Sequence, residues 1–324
     1  MTDGSDGGRL PRMVVVGTTV FGGGAPFPGV LERSREVSGL VDRMAAAASG
    51  TTRGGLDLVV LPELVAGPPG PVAVARALPL DHPVLEVYGS MARRHRTYLV
   101  VTLDLADGGA VWNAAVLLDR AGDVVGVYRK AHPVAATGSS SFEGGVTPGT
   151  SFPVFACDFG AVGIQICWDV MYDDGWQALA AGGAEMVAFP SASPATVRTA
   201  AHAARHRYYV VSSTPRDNAA VYEPSGLVAA RLLGPGVLVH ELDLSYAVLG
   251  WSASLRDGLA FREAFGDRAG YHYSPREDVG LFWSNDPATP IDAMTARLGV
   301  EDLRDQVARN ASLRSRPIAP ATPS

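Results

Sequence analysis

Three residues whose side chains can act on an amide carbonyl each follow an apolar run of the sequence. Glu63 ends the segment LDLVVLPE, Lys130 ends VVGVYRK and Cys167 ends AVGIQIC. Ligands of α/β proteins bind beyond the ends of strands, so these three side chains could meet in one pocket. A carboxylate, an ammonium group and a thiol would then supply a general base, a cation for an oxyanion and a nucleophile for acyl transfer.

Each of these residue types also has an ordinary structural use. A glutamate at a strand end often provides charge at a helix N-terminus, and a lysine in YRK is typical of a solvated surface. A cysteine in an apolar run is usually a buried hydrophobic residue. Spacing alone does not show that the three converge, so the chemical interpretation depends on the elements that position them.

The first part of the chain predicts a β-α-β unit that ends near Glu63. Residues 13–19 form a β-branched run, and apolar residues at helical spacing follow it. Residues 56–63 alternate too little for a half-exposed strand and therefore predict a buried one. A helix and a further strand come next, and a hairpin around residues 120–122 leads to Lys130.

The chain after Lys130 continues the alternation of strands and helices. Residues 131–151 are rich in Gly, Ser, Thr and Pro and predict a long loop, which is usually functional or mobile. A strand pair ends at Cys167, helices then alternate with the strands MVAFP and YVVSS, and three short strands follow. Sheets with interleaved helices are typical of the α/β class.

Composition predicts one main domain with a C-terminal part. Residues 10–250 contain no internal repeat and no linker, so we expect a single domain there. Residues 251–310 mix aromatic and charged residues without a clear period and predict a C-terminal extension that could lie at a subunit interface. Residues 311–324, which end in RPIAPATPS, predict a disordered tail.

The overall composition excludes several classes of partner. A chain of 324 residues with 47% hydrophobic side chains can bury a large core, and its net charge of -6 offers no basic surface for nucleic acid or an anionic membrane. No window is apolar for long enough to span a bilayer, and residues 1–13 lack the pattern of a secretory signal. We therefore predict a cytoplasmic protein without a nucleic-acid or membrane partner.

The cysteines and histidines predict neither a disulfide framework nor a metal site. Only Cys157 and Cys167 occur, and no C-x2-C spacing is present. We expect Cys157 to be an inert core residue. His132 could be mistaken for the base of a Cys-His dyad, but the adjacent proline favours a capping or packing role, and we identify no metal-ligand spacing among the other histidines.

Together the three segments resemble motifs of the carbon–nitrogen hydrolase (nitrilase) superfamily, in particular its amidase and N-carbamoyl hydrolase branch. LDLVVLPEL resembles the first motif, WNAAVLLDRAGDVVGVYRKAH the second and VGIQICWDVMYDDGW the third. The order Glu, Lys, Cys and the separations of 67 and 37 residues fit the family. The resemblance covers about residues 12–245.

The resemblance implies a fold and an assembly. The family fold is an α-β-β-α sandwich, which we expect here as four layers completed when two subunits pack together, with a C-terminal extension. A homodimer or a larger homo-oligomer follows from the same resemblance. The layered fold agrees with the β-α alternation described above.

The resemblance also implies a mechanism. Cys167 would be the nucleophile and Glu63 the base that takes its proton, while Lys130 and the backbone N–H of Trp168 would bind the oxyanion. A thioester on Cys167 would form and be hydrolysed by water, and no metal or organic cofactor would take part. Glu143 most nearly matches a second glutamate of the family and would orient Lys130 or the water.

The sequence departs from the family pattern around the substrate-facing residues. The gap from Glu143 to the pair at 148–149 is one residue short, and residues 171–174, 177 and 205–206 differ from those that many members have. The pocket or subunit contact near these positions is therefore expected to be unlike that of the best-known members. Among the residues after the nucleophile, we expect Trp168 and Tyr172 to contact the substrate.

Several functions stay open. Our first interpretation is hydrolysis of a non-peptide amide or N-carbamoyl group of a small molecule, because CWD at residues 167–169 resembles amide and carbamoyl hydrolases more than nitrilases. The alternative is a nitrilase, which acts through a thioimidate. An acyltransferase that uses an amine acceptor and, in a different class, a catalytically silent binding or regulatory member of the fold are further alternatives.

The charged residues near Cys167 suggest a substrate preference. If Asp169, Asp173 and Asp174 face the pocket, they favour neutral or amine-bearing substrates over carboxylates. Arg198 and Arg205, seven residues apart on one helix face, could instead bind a substrate carboxylate. A solvated arginine stripe is the commoner case, so we expect neutral or amine-bearing amides and carbamoyl compounds to be preferred.

Overall fold

The computed structural model divides the chain into two compact units. The larger is Met13–Leu244, and the smaller combines the described parts of residues 1–12 and 245–324. The structure describes residues 8–22, 27–65, 67–135 and 137–315.

The larger unit contains two six-stranded sheets. The first has the order β12-β1-β2-β3-β4-β5, and the second has the order β11-β10-β9-β8-β7-β6. Parallel pairing joins β1, β2 and β3 in the first sheet and β7, β8 and β9 in the second. The strands are β1 (Met13–Val20), β2 (Leu58–Val60), β3 (Tyr98–Asp107), β4 (Ala110–Leu118), β5 (Val124–Arg129), β6 (Val154–Cys157), β7 (Gly160–Ile164), β8 (Met186–Pro190), β9 (Tyr209–Ser213), β10 (Ala219–Tyr222), β11 (Val228–Leu232) and β12 (Gly236–Asp243).

Helices cover one face of each sheet. The first sheet packs against α1 (Val30–Ala48) and α2 (Pro83–His95), and the second against α3 (Asp174–Ala181) and α4 (Thr196–His206). The buried apolar residues of α1 have the helical spacing expected from the sequence. They pack in the same core cluster as side chains of β1, β2 and β3. Each sheet therefore buries its outer face beneath two helices.

The other faces of the two sheets meet each other. The Thr18 hydroxyl of β1 donates to the Ser212 carbonyl of β9 over 2.6 Å, and the Ser213 hydroxyl donates to the Thr19 carbonyl over 3.0 Å. The predicted α-β-β-α sandwich is confirmed. One point of the expectation is wrong, because both sheets come from a single chain and the four layers need no second subunit.

The strands that precede Glu63 and Lys130 were expected from the sequence, but the strand before Glu63 is shorter than expected. The hairpin of β4 and β5 is confirmed, but β2 is much shorter than the run at residues 56–63. Leu61 N–H still donates to the Val100 carbonyl, whereas Pro62 has no N–H and ends the pairing. Glu63 therefore lies in a turn beyond the strand end.

The smaller unit contains a three-stranded antiparallel sheet with helices. The sheet order is β13-β15-β14, and its core holds Phe261, Phe265, Phe282 and Met294. The elements are β13 (Tyr246–Gly250), α5 (Leu259–Phe265), β14 (Ala269–Ser274), β15 (Val279–Ser284), α6 (Ile291–Leu298) and α7 (Leu303–Arg314).

The expected disordered tail begins inside a helix. Residues 311–314 belong to α7, which has an acidic N-cap at Asp302, and residues 316–324 lie outside the described part of the chain. Within the described residues, no helix is both long enough and apolar enough to cross a membrane.

Candidate active site

A cavity of about 450 Å³ in the larger unit brings the four predicted catalytic residues together. Its lining includes Glu63, Lys130, Glu143 and Cys167. Glu63, Lys130 and Cys167 lie just after strands β2, β5 and β7, and Glu143 lies in the loop between β5 and β6. The two sheets therefore position all four residues. A pocket of this size suits a small molecule.

Glu63 lies in a turn whose preceding and following residues are both hydrogen-bonded to β3. The Thr102 hydroxyl on β3 donates to the Pro62 carbonyl and accepts from the Leu64 N–H, both over 2.7 Å. Leu64 has a left-handed backbone conformation with φ 53°, and this conformation reverses the chain directly after the glutamate. The carboxylate then accepts from the Ala192 N–H over 2.9 Å through Oε2.

Lys130 is almost completely buried between two carboxylates. Its side chain is 1% exposed, and Nζ donates to Glu63 Oε1 over 2.9 Å and to Glu143 Oε1 over 2.6 Å. Burial lowers the pKa of the lysine, but the charges of the two glutamates outweigh it and hold that pKa above the usual value. The ammonium group therefore stays charged.

Asn113 joins the two glutamates on the other side. It lies buried on β4, and Nδ2 donates to Glu63 Oε1 and to Glu143 Oε2, each over 2.8 Å. Glu143 Oε1 also accepts from the Val134 N–H over 2.9 Å. Sequence analysis missed Asn113, although an asparagine inside an apolar strand is a signal that a buried polar group needs partners.

The resting state pairs a carboxylate with a neutral thiol. Burial raises the pKa of Glu63, but the charge of Lys130 and hydrogen bonds with Lys130, Asn113 and the Cys167 thiol bring it below its usual value. Burial and the charge of Glu63 raise the pKa of Cys167 to about 11, against the smaller opposing effect of Lys130. Glu63 is therefore an ionised acceptor beside a protonated thiol at neutral pH.

Asp169 holds the turn that presents Cys167. The cysteine begins a 3₁₀ helix, Cys167–Met171, with a left-handed φ of 47°. Asp169 is fully buried, and its Oδ2 accepts from the Ile166 N–H and the Tyr128 hydroxyl, both over 2.8 Å, while Oδ1 accepts from the His132 N–H over 2.9 Å. Sequence analysis used this aspartate to compare families and to argue a substrate preference, and missed its positioning role.

The predicted substrate-contacting residues lie outside the cavity lining. Trp168 is 39% exposed and Tyr172 is 46% exposed, and neither is among the lining residues. The Tyr172 ring stacks on the His132 ring with 4.0 Å between centroids. His132 also lies 3.1 Å from Asp169 through Nδ1, so it packs beside the site and has the structural role expected for it.

The three acids after Cys167 do not face the cavity, so that part of the substrate argument is wrong. Asp169 is used in the hydrogen bonds described above, and Asp173 and Asp174 contact side chains outside the lining. Arg198 and Arg205 are exposed, as a solvated stripe would be. The three acids have different surroundings because the short 3₁₀ helix after Ile166 directs successive side chains in different directions.

A different set of charges surrounds the cavity. Arg76 is among the lining residues, and its Nε lies 2.7 Å from Oδ2 of the buried Asp104. Burial raises the pKa of Asp104 to about 6, against the opposing effect of Arg76, so this carboxyl is mostly ionised at neutral pH. The lining therefore holds two carboxylates, Glu63 and Glu143, and two cations, Lys130 and Arg76, and Asp104 pairs with Arg76 from outside the lining.

Cys157 has a different environment from Cys167. It ends β6, is half-buried and does not line the cavity. Burial raises the pKa of its thiol to about 12. No glutamate is among the groups that shift this pKa, so the two cysteines differ in access to a base.

Comparisons with known proteins agree with this architecture. Saccharomyces cerevisiae Nit3, a member of branch 10 of the nitrilase superfamily, matches the structure with a TM-score of 0.62 at 18% identity, over 79% of this chain and 95% of that chain. At this identity the match concerns the fold alone. The nitrilase-like fold is thereby confirmed.

Sequence comparisons identify curated relatives that match part of the chain. Citrullinase from Francisella tularensis is 30% identical over 113 residues, which cover 35% of this chain and 39% of that protein. Deaminated glutathione amidase from Homo sapiens is 30% identical over 198 residues, which cover 52% of this chain and 60% of that protein. The chain thus spans less than two thirds of the length of either relative.

A family model extends over most of the larger unit. The carbon-nitrogen hydrolase model matches residues 24–249, which include the four predicted catalytic residues of the cavity described above. This match covers more than half of the chain. The chain therefore belongs to the carbon–nitrogen hydrolase family.

Proposed function

We propose that this protein hydrolyses a non-peptide C–N bond, in an amide or N-carbamoyl group of a small molecule, through a thioester on Cys167. The observation that carries the proposal is the convergence of Glu63, Lys130 and Cys167 on one cavity, where the ionised Glu63 accepts a hydrogen bond from the buried, charged Lys130. The amidase and carbamoyl-hydrolase names of relatives support the same class of reaction.

Acylation starts with proton transfer. Glu63 takes the proton of the Cys167 thiol while Sγ attacks the carbonyl carbon, which converts the carbonyl oxygen into an oxyanion. Lys130 Nζ has three N–H donors and gives two to the glutamates, so one is free for the oxyanion together with the backbone N–H of Trp168.

The tetrahedral intermediate then collapses. Protonated Glu63 returns its proton to the departing nitrogen as the C–N bond breaks, and ammonia or an amine leaves. Glu63, again a carboxylate, removes a proton from water, which attacks the thioester carbonyl. The C–S bond then breaks, Glu63 returns that proton to the Cys167 sulfur, and the carboxylic or carbamic acid leaves with the thiol restored. Glu143 and Asn113 keep Lys130 and Glu63 oriented throughout both steps.

The charges of the cavity favour neutral or amine-bearing substrates. Both cations of the lining are already paired, Lys130 with Glu63 and Glu143 and Arg76 with the buried Asp104, so neither is left to compensate a substrate carboxylate. This preference matches the one inferred from the sequence but rests on other residues. Comparing kcat/KM for an N-carbamoyl amine and the matching N-carbamoyl amino acid tests it, and a preference for the acid contradicts it.

The assembly belongs to the same proposal. The family resemblance implies a homodimer or a larger homo-oligomer, although the sandwich itself is complete in one chain. Analytical ultracentrifugation measures the mass in solution, and a monomer at micromolar concentration contradicts this part.

An ammonia-release screen with matched cysteine variants tests the activity. Amides, N-carbamoyl compounds and nitriles are supplied to the wild type, Cys167→Ala and the control Cys157→Ala. We expect turnover of an amide or carbamoyl compound that Cys167→Ala abolishes and Cys157→Ala retains. Turnover of nitriles alone points to a thioimidate instead, and activity of Cys167→Ala within about tenfold of wild type overturns the mechanism.

The roles of the base and the intermediate need their own measurements. We expect Glu63→Gln to lower kcat by at least ~10²-fold, because an amide cannot accept the thiol proton. Mass spectrometry after rapid acid quench detects the acyl group on the Cys167 peptide. No acyl adduct, together with undiminished kcat in Glu63→Gln, contradicts the proposed chemistry.

A further inference from the structure

A second cluster of ionisable side chains lies in the larger unit, apart from the cavity lining. Asp173, His202 and His206 place one ligand atom each within 4.8 Å of one another. The two histidines are four residues apart on α4 and therefore share a face, while Asp173 directly precedes α3. This i,i+4 histidine pair is a metal-ligand spacing that sequence analysis overlooked.

Hydrogen bonding determines which nitrogen of His202 is free. Its Nε2 lies 3.0 Å from the Val170 carbonyl oxygen, which can only accept, so Nε2 carries the proton. In the neutral ring Nδ1 then holds a lone pair, and it faces Asp173 Oδ1 at 3.6 Å. Two acceptors that face each other are stabilised by a cation placed between them.

The spacing of the ligand atoms suits a small tetrahedral ion. Metal–nitrogen and metal–oxygen bonds of zinc are about 2.0–2.1 Å, which places tetrahedral ligand atoms ~3.3 Å apart. Asp173 Oδ1 lies 2.8 Å from His206 Nε2 and 3.6 Å from His202 Nδ1, on either side of that value. Shifts of about half an ångström bring these two distances to that value, and the two histidine nitrogens lie within 4.8 Å of each other.

The groups around the cluster resemble the support that metal ligands require. Ligating histidines usually donate their second N–H to a carbonyl or carboxylate, and His202 does so to Val170. The Trp176 ring stacks on His202 with 4.4 Å between centroids and fixes the ring plane. Arg205 lies 3.3 Å from Asp173 Oδ2, which leaves Oδ1 for an ion.

We propose that Asp173, His202 and His206 bind one divalent transition-metal ion of the zinc class, with water in the fourth position. Two imidazoles and one carboxylate suit this class, and the partly exposed Asp173 gives access for the ion and the water. His206, which donates to Asp173 without an ion, carries its proton on Nδ1 when Nε2 is a ligand.

The site connects α4 to the chain that follows the nucleophile. His202 contacts the carbonyl of Val170, which belongs to the 3₁₀ helix that begins at Cys167. A bound ion joins this histidine to Asp173, two residues after the same helix. Binding therefore restrains the segment that presents the thiol and stabilises the folded protein by mass action.

Cobalt and zinc titrations in a thiol-free active site test the proposal. Cys167→Ala serves as the background because a thiol can itself bind these ions. His206→Gln and Asp173→Asn each remove a ligand, and His95→Gln is the control because it breaks another His–Asp contact, with Asp42. Circular dichroism checks that each variant is folded.

We expect the background protein to bind one equivalent of Co²⁺, with a visible absorption of tetrahedral type, and Zn²⁺ to displace it. Each ligand variant should bind more than about 100-fold more weakly, since even indirect supports of a metal contribute 10- to 100-fold. The control should bind like the background. Millimolar or weaker affinity of the background, or equal affinity in the ligand variants, overturns the proposal.

Thermal unfolding provides a readout that does not depend on spectroscopy. Zinc should raise the Tm of the background and of His95→Gln but leave the Tm of either ligand variant unchanged. A zinc-induced increase that is the same in all four proteins shows adventitious binding and refutes the site. If one ligand variant is unfolded, the other still decides the outcome.

Discussion

Replacing Lys130 with methionine isolates the charge that holds the active site together. Methionine keeps most of the buried apolar volume but removes the ammonium group that donates to both Glu63 and Glu143. The two carboxylates remain in a buried site, joined by Asn113 alone. The variant therefore measures how much the free energy of unfolding falls when a buried cation is removed from between two anions.

The expected loss is large compared with that of an exposed ion pair. Removing one partner of a buried, hydrogen-bonded pair typically costs about 3–5 kcal/mol. The neighbouring Arg129 pairs with Asp107 at the surface, where such pairs contribute about 0–1 kcal/mol. Arg129→Met is thus a matched control that removes a cation one residue away.

The contribution of Glu63 to the pH dependence of the free energy of unfolding should change sign in this variant. In the wild type, the pKa of Glu63 is below its unfolded value, so its contribution is present above the unfolded pKa and is lost as pH falls through the folded pKa. In Lys130→Met, burial and repulsion from Glu143 raise the pKa of Glu63 above the unfolded value of about 4.3. The folded variant then binds protons more tightly, and each unit of that shift costs about 1.4 kcal/mol once pH exceeds the raised pKa.

Urea unfolding followed by circular dichroism, from neutral pH down to about pH 5, measures both effects. The deficit of Lys130→Met relative to wild type should be largest at neutral pH and should shrink as pH falls. Arg129→Met should show a small deficit with little pH dependence. A Lys130→Met deficit no larger than that of the control, or one that stays constant with pH, refutes the electrostatic argument.

Three further outcomes follow from the same contacts. Asn113→Ala should lower kcat by roughly 10-fold with a small change in KM, because a hydrogen bond to a charged group contributes about 1.5–3 kcal/mol; unchanged kcat in steady-state assays contradicts this. Asp169→Asn should destabilise the protein by about 2 kcal/mol in urea unfolding, because either orientation of the amide places its NH2 group against the Ile166 N–H or the His132 N–H, and equal stability would refute the role of the carboxylate. Iodoacetamide should label Cys167 faster than Cys157, because Glu63 adjoins only the former; peptide mapping after brief treatment checks this, and equal labelling argues against a nucleophile.

Sequence reasoning found the main charged and nucleophilic residues but not their supports. Each of Glu63, Lys130 and Cys167 has an ordinary structural use when taken alone, but their order, spacing and flanking motifs together resemble those of the carbon–nitrogen hydrolase family. Asn113 and Asp169 act through partners far along the chain, and those contacts depend on how β4, β5 and the 3₁₀ helix are placed. Such partners cannot be identified from local pattern.

Side-chain direction was the weakest part of the sequence argument. Trp168 and Tyr172 were expected to contact the substrate because they are close in sequence to the nucleophile, and the argument from the acids after Cys167 depended on their facing the pocket. A tight 3₁₀ turn instead directs Asp169 into the interior and leaves Trp168 and Tyr172 partly exposed. The histidine pair of α4 could be recognised from its spacing in the sequence. The third member of that cluster, Asp173, could not, because it lies 29 residues before His202.

By itself the sequence determined the α/β class, most strands and helices of the larger unit, and the order of its glutamate, lysine and cysteine. These properties follow from hydrophobic periodicity and short motifs, which are local. Only the tertiary structure decided that both sheets of the sandwich come from one chain, that Asn113 and Asp169 support the site, and which charges surround the cavity. The physical reason is that sheet pairing and side-chain burial depend on contacts between residues that are distant in sequence.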